Sequence, residues 1–142
     1  MNHLQKLPIG IQTFSKLREE DYIYIDKTKE AYELIEGYQY VFLSRPRRFG
    51  KSLFLDTLRN IFEGNKEYFS GLAIEDKWDW DVKYPVIKIS FDVNLRSARK
   101  IEESLISSLK ENQDRLGVEC DGTSNVSVWF KEFIEAVHKK YN

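Results

Sequence analysis

The fold class this sequence predicts is α/β, with the N-terminal part of a mostly parallel sheet flanked by helices. Three observations predict it. Two short apolar runs, 38–44 and 85–92, have the make-up of strands. Each leads towards a segment whose apolar residues recur at helical spacing. The first run meets its helix through a tight basic loop that contains Gly50-Lys51-Ser52.

In chain order, Pro8 and Gly10 punctuate a turn-rich opening, and Tyr22-Ile23-Tyr24-Ile25 forms a short β-like run. Asp26 reads as the N-cap of a helix that closes near Gly37, with Ala31, Leu34 and Ile35 on one face. The run Tyr38–Ser44 follows as a strand. After the loop, Phe54, Leu55, Leu58, Ile61 and Phe62 mark a helix that Gly64 ends. The segment holding Tyr68, Phe69, Trp78 and Trp80 predicts one short helix and an irregular loop. In 85–92, Lys88 and Ser90 alternate with apolar residues, which suits an edge or half-exposed strand. Ala98, Ile101, Leu105 and Leu109 then stripe a helix over 97–116. Trp129, Phe130, Phe133, Ile134 and Val137 stripe another over 126–140, across a polar link from Gly117 to Asn125.

A chain of 142 residues suits a single segment, 1–142, divided into a turn, strand and helix region (1–37) and a core around the basic loop (38–142). Hydrophobic residues make up 42% and aromatics 14%, enough for a core, and 22 basic against 23 acidic side chains rule out a charge-driven disordered chain. The same balance argues against a domain that coats nucleic acid, so the arginine cluster remains only a local basic patch. The single Cys120 closes no internal disulfide, and one Cys with two His at opposite ends makes no structural zinc site. The opening residues lack the apolar core of a signal peptide, and no apolar run is long enough to span a bilayer. The expected setting is cytoplasmic.

The chemistry concentrates in Ser44–Ser52. A strand, a tight loop and Gly-Lys-Ser at a helix start is the setting a phosphate-binding loop needs. Backbone N–H groups of the first helical turn point at phosphate oxygens, and the helix dipole favours their charge. Gly50 permits close approach, Lys51 brings an ammonium to the β- and γ-phosphates, and the Ser52 hydroxyl suits Mg²⁺. The residues expected to bind the cofactor are Arg45, Arg47, Arg48, Phe49, Gly50, Lys51, Ser52 and Leu53, with Ser52 also at the metal. Arg45 stands where the usual pattern has its first glycine. The residues alone therefore leave two readings open, a phosphate cradle and a basic turn capped by Gly-Lys.

The stretches LPIGIQTFSKLREEDYIYIDKT, YVFLSRPRRFGKSLFLDTLRNIFEG and YPVIKISF resemble the AAA-ATPase-like family of predicted bacterial ATPases, most strongly from Leu7 to Phe91. The loop RPRRFGKS is that family's variant of the Walker A motif, so the resemblance makes Arg45 an expected residue. It implies a P-loop NTPase fold with an extra strand between the P-loop strand and the Walker B strand. It implies ATP and Mg²⁺ as cofactors, and a longer parent protein, often with a PD-(D/E)XK nuclease-like region attached or acting as partner. In that family an apolar strand ending in Asp-Glu follows a helix like 126–140. The chain ends before it, so it reads as the N-terminal part of a predicted ATPase, expected to bind nucleotide and to turn it over negligibly alone.

The remaining candidates carry less. Asp92 ends an apolar run but is followed by Val93 where a catalytic Glu would stand, and it reads as a strand-end acid. Asp26-Lys27-Thr28 reads as a cap and first turn, and its place in the resemblance also allows a position near the nucleotide. Arg45, Arg47 and Arg48 either contact phosphates, hold the loop through acidic partners, or stay solvated. Trp78 and Trp80 belong either to a partner surface or to a loop folded on the core. Cys120 has no partner for a catalytic thiol. The alternative function is a non-enzymatic interaction module with a relic loop, and an unpaired sheet edge would favour self-association.

Overall fold

The computed structural model describes residues 4–91, 97–122 and 125–142, and Asp92 lies outside them. Five α-helices follow one another among these residues: α1 (Phe14–Glu19), α2 (Thr28–Gly37), α3 (Lys51–Phe62), α4 (Ala98–Leu116) and α5 (Val126–Tyr141), with a 3-10 turn at Lys66–Phe69. The chain divides into two compact units, the first ending at Tyr84 and the second running from Pro85 to Asn142.

The expected parallel sheet does not form. Among the described residues there is no strand, and the one β-type pairing is an isolated parallel bridge between Lys6 and Tyr22. An apolar run becomes a strand only when another strand accepts its backbone hydrogen bonds. The segment 38–44 has no such neighbour and lies bare, with Tyr40 87% and Phe42 92% exposed. The segment 85–91 finds a different partner. Asn112 on α4 takes the Lys88 N–H at 2.9 Å and donates to the Lys88 carbonyl at 2.6 Å. Ser108, one turn earlier, bonds both the N–H and the carbonyl of Ser90 at 3.2 Å. Arg115 donates to the Val86 carbonyl. Helix side chains thus stand in for a neighbouring strand, which also explains why Ser108 and Asn112 are buried on an otherwise apolar face.

The first unit packs Phe14, Ala31, Ile61, Phe69 and Ile74 into a core. Phe14 meets Tyr24 edge-on at 5.2 Å and Phe69 at 4.8 Å. Trp78 and Trp80 fold onto this core: Trp80 lies 4.9 Å from Phe69 and its indole N–H donates to the Glu75 carbonyl, while Trp78 meets Phe62 edge-on at 5.5 Å. Of the two readings left open for these tryptophans, the core holds.

The second unit is a helical hairpin with a core of Leu109, Leu116, Val118, Trp129, Phe133 and Val137. The periodicity of α5 reads through at Trp129, Phe133 and Val137, which are buried, and at the half-buried Phe130, but not at Ile134, which is exposed. The α4 stripe holds only in its C-terminal half, because Leu109 is buried while Ala98 and Ile101 are exposed. Among the described residues no helix is long and apolar enough to cross a membrane.

Candidate functional site

The helix starts separate one position from the others. Four of the five α-helices receive a side-chain oxygen on an N–H of the first turn. Asp56 accepts from Phe14 N at 2.8 Å, Asp26 from Thr28 N at 2.8 Å, Ser97 from Lys100 N at 3.4 Å and Asn125 from Ser127 N at 2.8 Å. Among the described residues no side chain caps α3. Its first-turn N–H groups, from Lys51 to Leu53, are therefore donors open to an outside acceptor.

The loop in front of α3 is shaped for that opening. Gly50 is the N-cap residue at φ 70°, in the left-handed region that glycine enters without steric cost, and a Cβ placed there would meet nothing within 4 Å. Arg48 also takes a left-handed conformation, φ 66°, which costs an L-residue about 1 kcal/mol. Lys51 reaches back across the loop, its ammonium 2.6 Å from the Arg45 carbonyl oxygen. Arg45, Arg47, Arg48 and Lys51 thus crowd one exposed turn, and the sequence from Ser44 to Leu55 contains no acid. Among the described residues none of the three arginines pairs with a carboxylate, so the reading in which acidic partners hold them has no support there. Phe49 stays 63% exposed beside them.

Behind the loop lies a cavity of 590 Å³. The loop and α3 wall one side through Leu43, Arg45, Phe49, Gly50, Lys51 and Phe54. The other side comes from Leu7, Pro8, Tyr24 and Ile25, and from Leu34 of α2. Lys27 and Glu30 also line it and pair at 3.4 Å. The backbone N–H of Glu30 lowers its carboxyl below the ordinary value; burial opposes this and Lys27 adds to it. Burial raises the Tyr24 phenol above its usual range, with a hydrogen bond to Thr57 acting the other way.

Asp26 does not lie among the lining residues. Its carboxylate accepts from the Thr28 hydroxyl and amide and from the Ala73 amide, at 2.7 to 2.8 Å, so it works one residue ahead of the N-cap position, Lys27. Burial pushes its pKa up, but these hydrogen bonds outweigh it and hold the carboxyl below the ordinary value. Burial, then the charges of Glu132 and Asp121, push the Cys120 thiol up, the opposite of an activated nucleophile. Among the described residues no group of three or more His, Cys, Asp or Glu is placed to hold a metal ion.

Two contributors escape a reading of the sequence. Asp56 looks like a solvent-facing residue of an amphipathic helix. It is buried, pairs with Arg59 at 2.9 Å and caps α1 from 42 residues away. Leu7, Pro8 and Tyr24 line the cavity although they lie far from the loop in sequence, and the turn residues Pro8 and Gly10 and the β-like run Tyr22–Ile25 are local signals that say nothing of a cavity.

A family model described as a predicted AAA-ATPase matches residues 8–142. A protein of Azotobacter chroococcum mcd 1, described as an uncharacterized protein in the vnfD 5' region, is 49% identical over 136 residues, which cover 94% of this chain and 26% of that protein. The chain thus spans about a quarter of the relative's length. No solved structure matches. With the model spanning nearly every residue, the chain belongs to the predicted AAA-ATPase family.

Proposed function

We propose that this chain binds a nucleoside triphosphate, ATP with Mg²⁺, on the loop Arg45–Ser52 and the first turn of α3. The observation that carries the reading is the start of α3, left without a side-chain cap and ringed by cations where the other helix starts are capped. A polyphosphate supplies the missing acceptors and the opposite charge together. The amides from Arg47 to Leu53 form the cradle. Lys51 exchanges the Arg45 carbonyl for phosphate oxygens, and Arg45, Arg47 and Arg48 add to the positive field.

The fit to Mg²⁺ is narrower. Ser52 is exposed on the first turn and would supply one hydroxyl oxygen, leaving the rest of the coordination to phosphates and water. Bound there, the ion would neutralise charge on the phosphate oxygens. We assign these residues binding and not turnover, because activation of an attacking water calls for a carboxylate that the loop does not carry.

Calorimetric titration of Mg·ATP into the chain and into Lys51→Ala tests the reading. Binding should weaken at least tenfold in the variant, about 1.4 kcal/mol. A folded chain that binds no nucleotide, or a variant that binds as well as the parent, would overturn it. Either result would favour the interaction-module alternative, with the bare segment 38–44 as its contact surface.

A further inference from the structure

Segment 85–91 has one edge satisfied and one edge open. Its bonds to α4 involve alternate residues. Arg115 meets the Val86 carbonyl, Asn112 meets both backbone groups of Lys88, and Ser108 meets both of Ser90. That alternation belongs to an extended strand, in which neighbouring residues turn their N–H and C=O groups to opposite edges. Ile87, Ile89 and Phe91 therefore point their backbone groups away from α4. Among the described residues none of these groups has a hydrogen-bond partner. Ile87 and Ile89 are half-buried and Phe91 is 50% exposed, so this edge reaches solvent. An open backbone edge is a template for another strand.

We infer that the open edge of 85–91 pairs with the same edge of a second copy of this chain, antiparallel about a two-fold axis at Ile89. The inference is independent of the phosphate-binding reading. A two-fold interface needs a self-complementary surface, and this edge is one, because each residue on it offers one donor and one acceptor. Two antiparallel registers pair Ile87, Ile89 and Phe91 wholly within the segment. The register centred on Lys88 sets that cation against itself across the axis, and Phe91 against Pro85, which has no N–H to give. The register centred on Ile89 has neither fault. It pairs Ile89 with itself and Ile87 with Phe91 of the second copy, for about six hydrogen bonds. It also lines up Ile87, Ile89 and Phe91 as an apolar row on one face, and sets Lys88 opposite the uncharged Ser90 on the other. The side chains of α4 back each strand, a support that an isolated two-stranded ribbon lacks.

Sedimentation velocity of the full chain over a concentration series tests the pairing, and a reversible dimer is expected. Ile89→Pro removes the central N–H and should weaken the dimer by about tenfold or more. The single chain loses no hydrogen bond by that change, since this N–H has no partner within it. Ile89 is half-buried, so circular dichroism checks the fold. The exposed Ser90 repeats the test through side-chain charge alone. Ser90→Glu, facing Lys88 of the second copy, should tighten the dimer, and Ser90→Lys should loosen it. Phe42→Lys, on the bare segment 38–44, should leave it unchanged. A chain that stays monomeric throughout would overturn the pairing, as would a dimer that a folded Ile89→Pro leaves intact. So would Ser90 variants that shift the dimer equally or not at all, and loss of the dimer in Phe42→Lys, which would move the interface to 38–44.

Discussion

The two units differ in how their helix starts are capped. In the second unit the helix starts are capped locally, while Lys140 of α5 donates to the last carbonyls of α4, those of Leu116 and Gly117, at 2.8 Å. Ser97 and Asn125 cap the helices they begin, and Gly117 turns the chain out of α4 in a left-handed conformation. In the first unit α1 is capped by Asp56 from the middle of α3, and α2 by an Asp26 that also ties down Ala73. Arg18 fastens the same unit by donating to the carbonyls of Tyr68 and Ser70, at 2.9 and 2.7 Å. Long-range polar bonds clamp both units, but among the described helices α3 alone begins without a side-chain cap. It is at this open start that the proposed phosphate site lies.

The largest expected effects come from the cores, which should behave alike if the contrast lies in the clamps. Phe14→Ala and Phe133→Ala each remove a fully buried ring and should cost about 3–5 kcal/mol in denaturant unfolding, with hydrogen exchange assigning each loss to its own unit. A cost below about 1 kcal/mol at Phe14 would show that the clamps, and not the aromatic core, hold the first unit.

Asp56→Ala comes next. It strips the cap from α1 and leaves the largely buried Arg59 without its carboxylate, so the expected loss is about 3 kcal/mol. Ser97→Ala, a local cap with one hydrogen bond, should cost about 1 kcal/mol. Equal costs for the two would break the distinction between long-range and local capping.

The smallest effect is a pH dependence. The folded Asp26 carboxyl titrates below its ordinary value, so its ionised form stabilises the first unit above the ordinary carboxylate pKa. That stability should fade as pH drops through the lowered, folded value. Asp26→Asn should flatten the acid limb of the stability profile below about pH 4, and an unchanged limb would remove Asp26 from the clamp.

Legibility in the sequence followed the range of the interactions. Helices α2 to α5 were readable because their apolar spacing, and for α2 to α4 a glycine near the end, lie within the same stretch of chain. Helix α1, six residues long, is too short for a period to show. The loop was the clearest feature of all, since Gly50, Lys51 and Ser52 sit together between an apolar run and an amphipathic helix. The sheet was misread for the converse reason. Runs 38–44 and 85–91 have strand composition, but composition does not supply a partner, and Asn112, Ser108 and Arg115 took the ladder's place on one of them.

By itself, the sequence determined the helices, the cationic glycine loop at the start of α3, and membership of the predicted AAA-ATPase family. Each is written in contiguous residues, where spacing and side-chain chemistry act directly. Only the tertiary structure decided that Asp56 is a buried cap, that Trp78 and Trp80 are core, and that Leu7, Tyr24 and Leu34 meet the loop around one cavity. Those outcomes depend on which distant segments pack together, and burial, unlike periodicity, is a property of the neighbours.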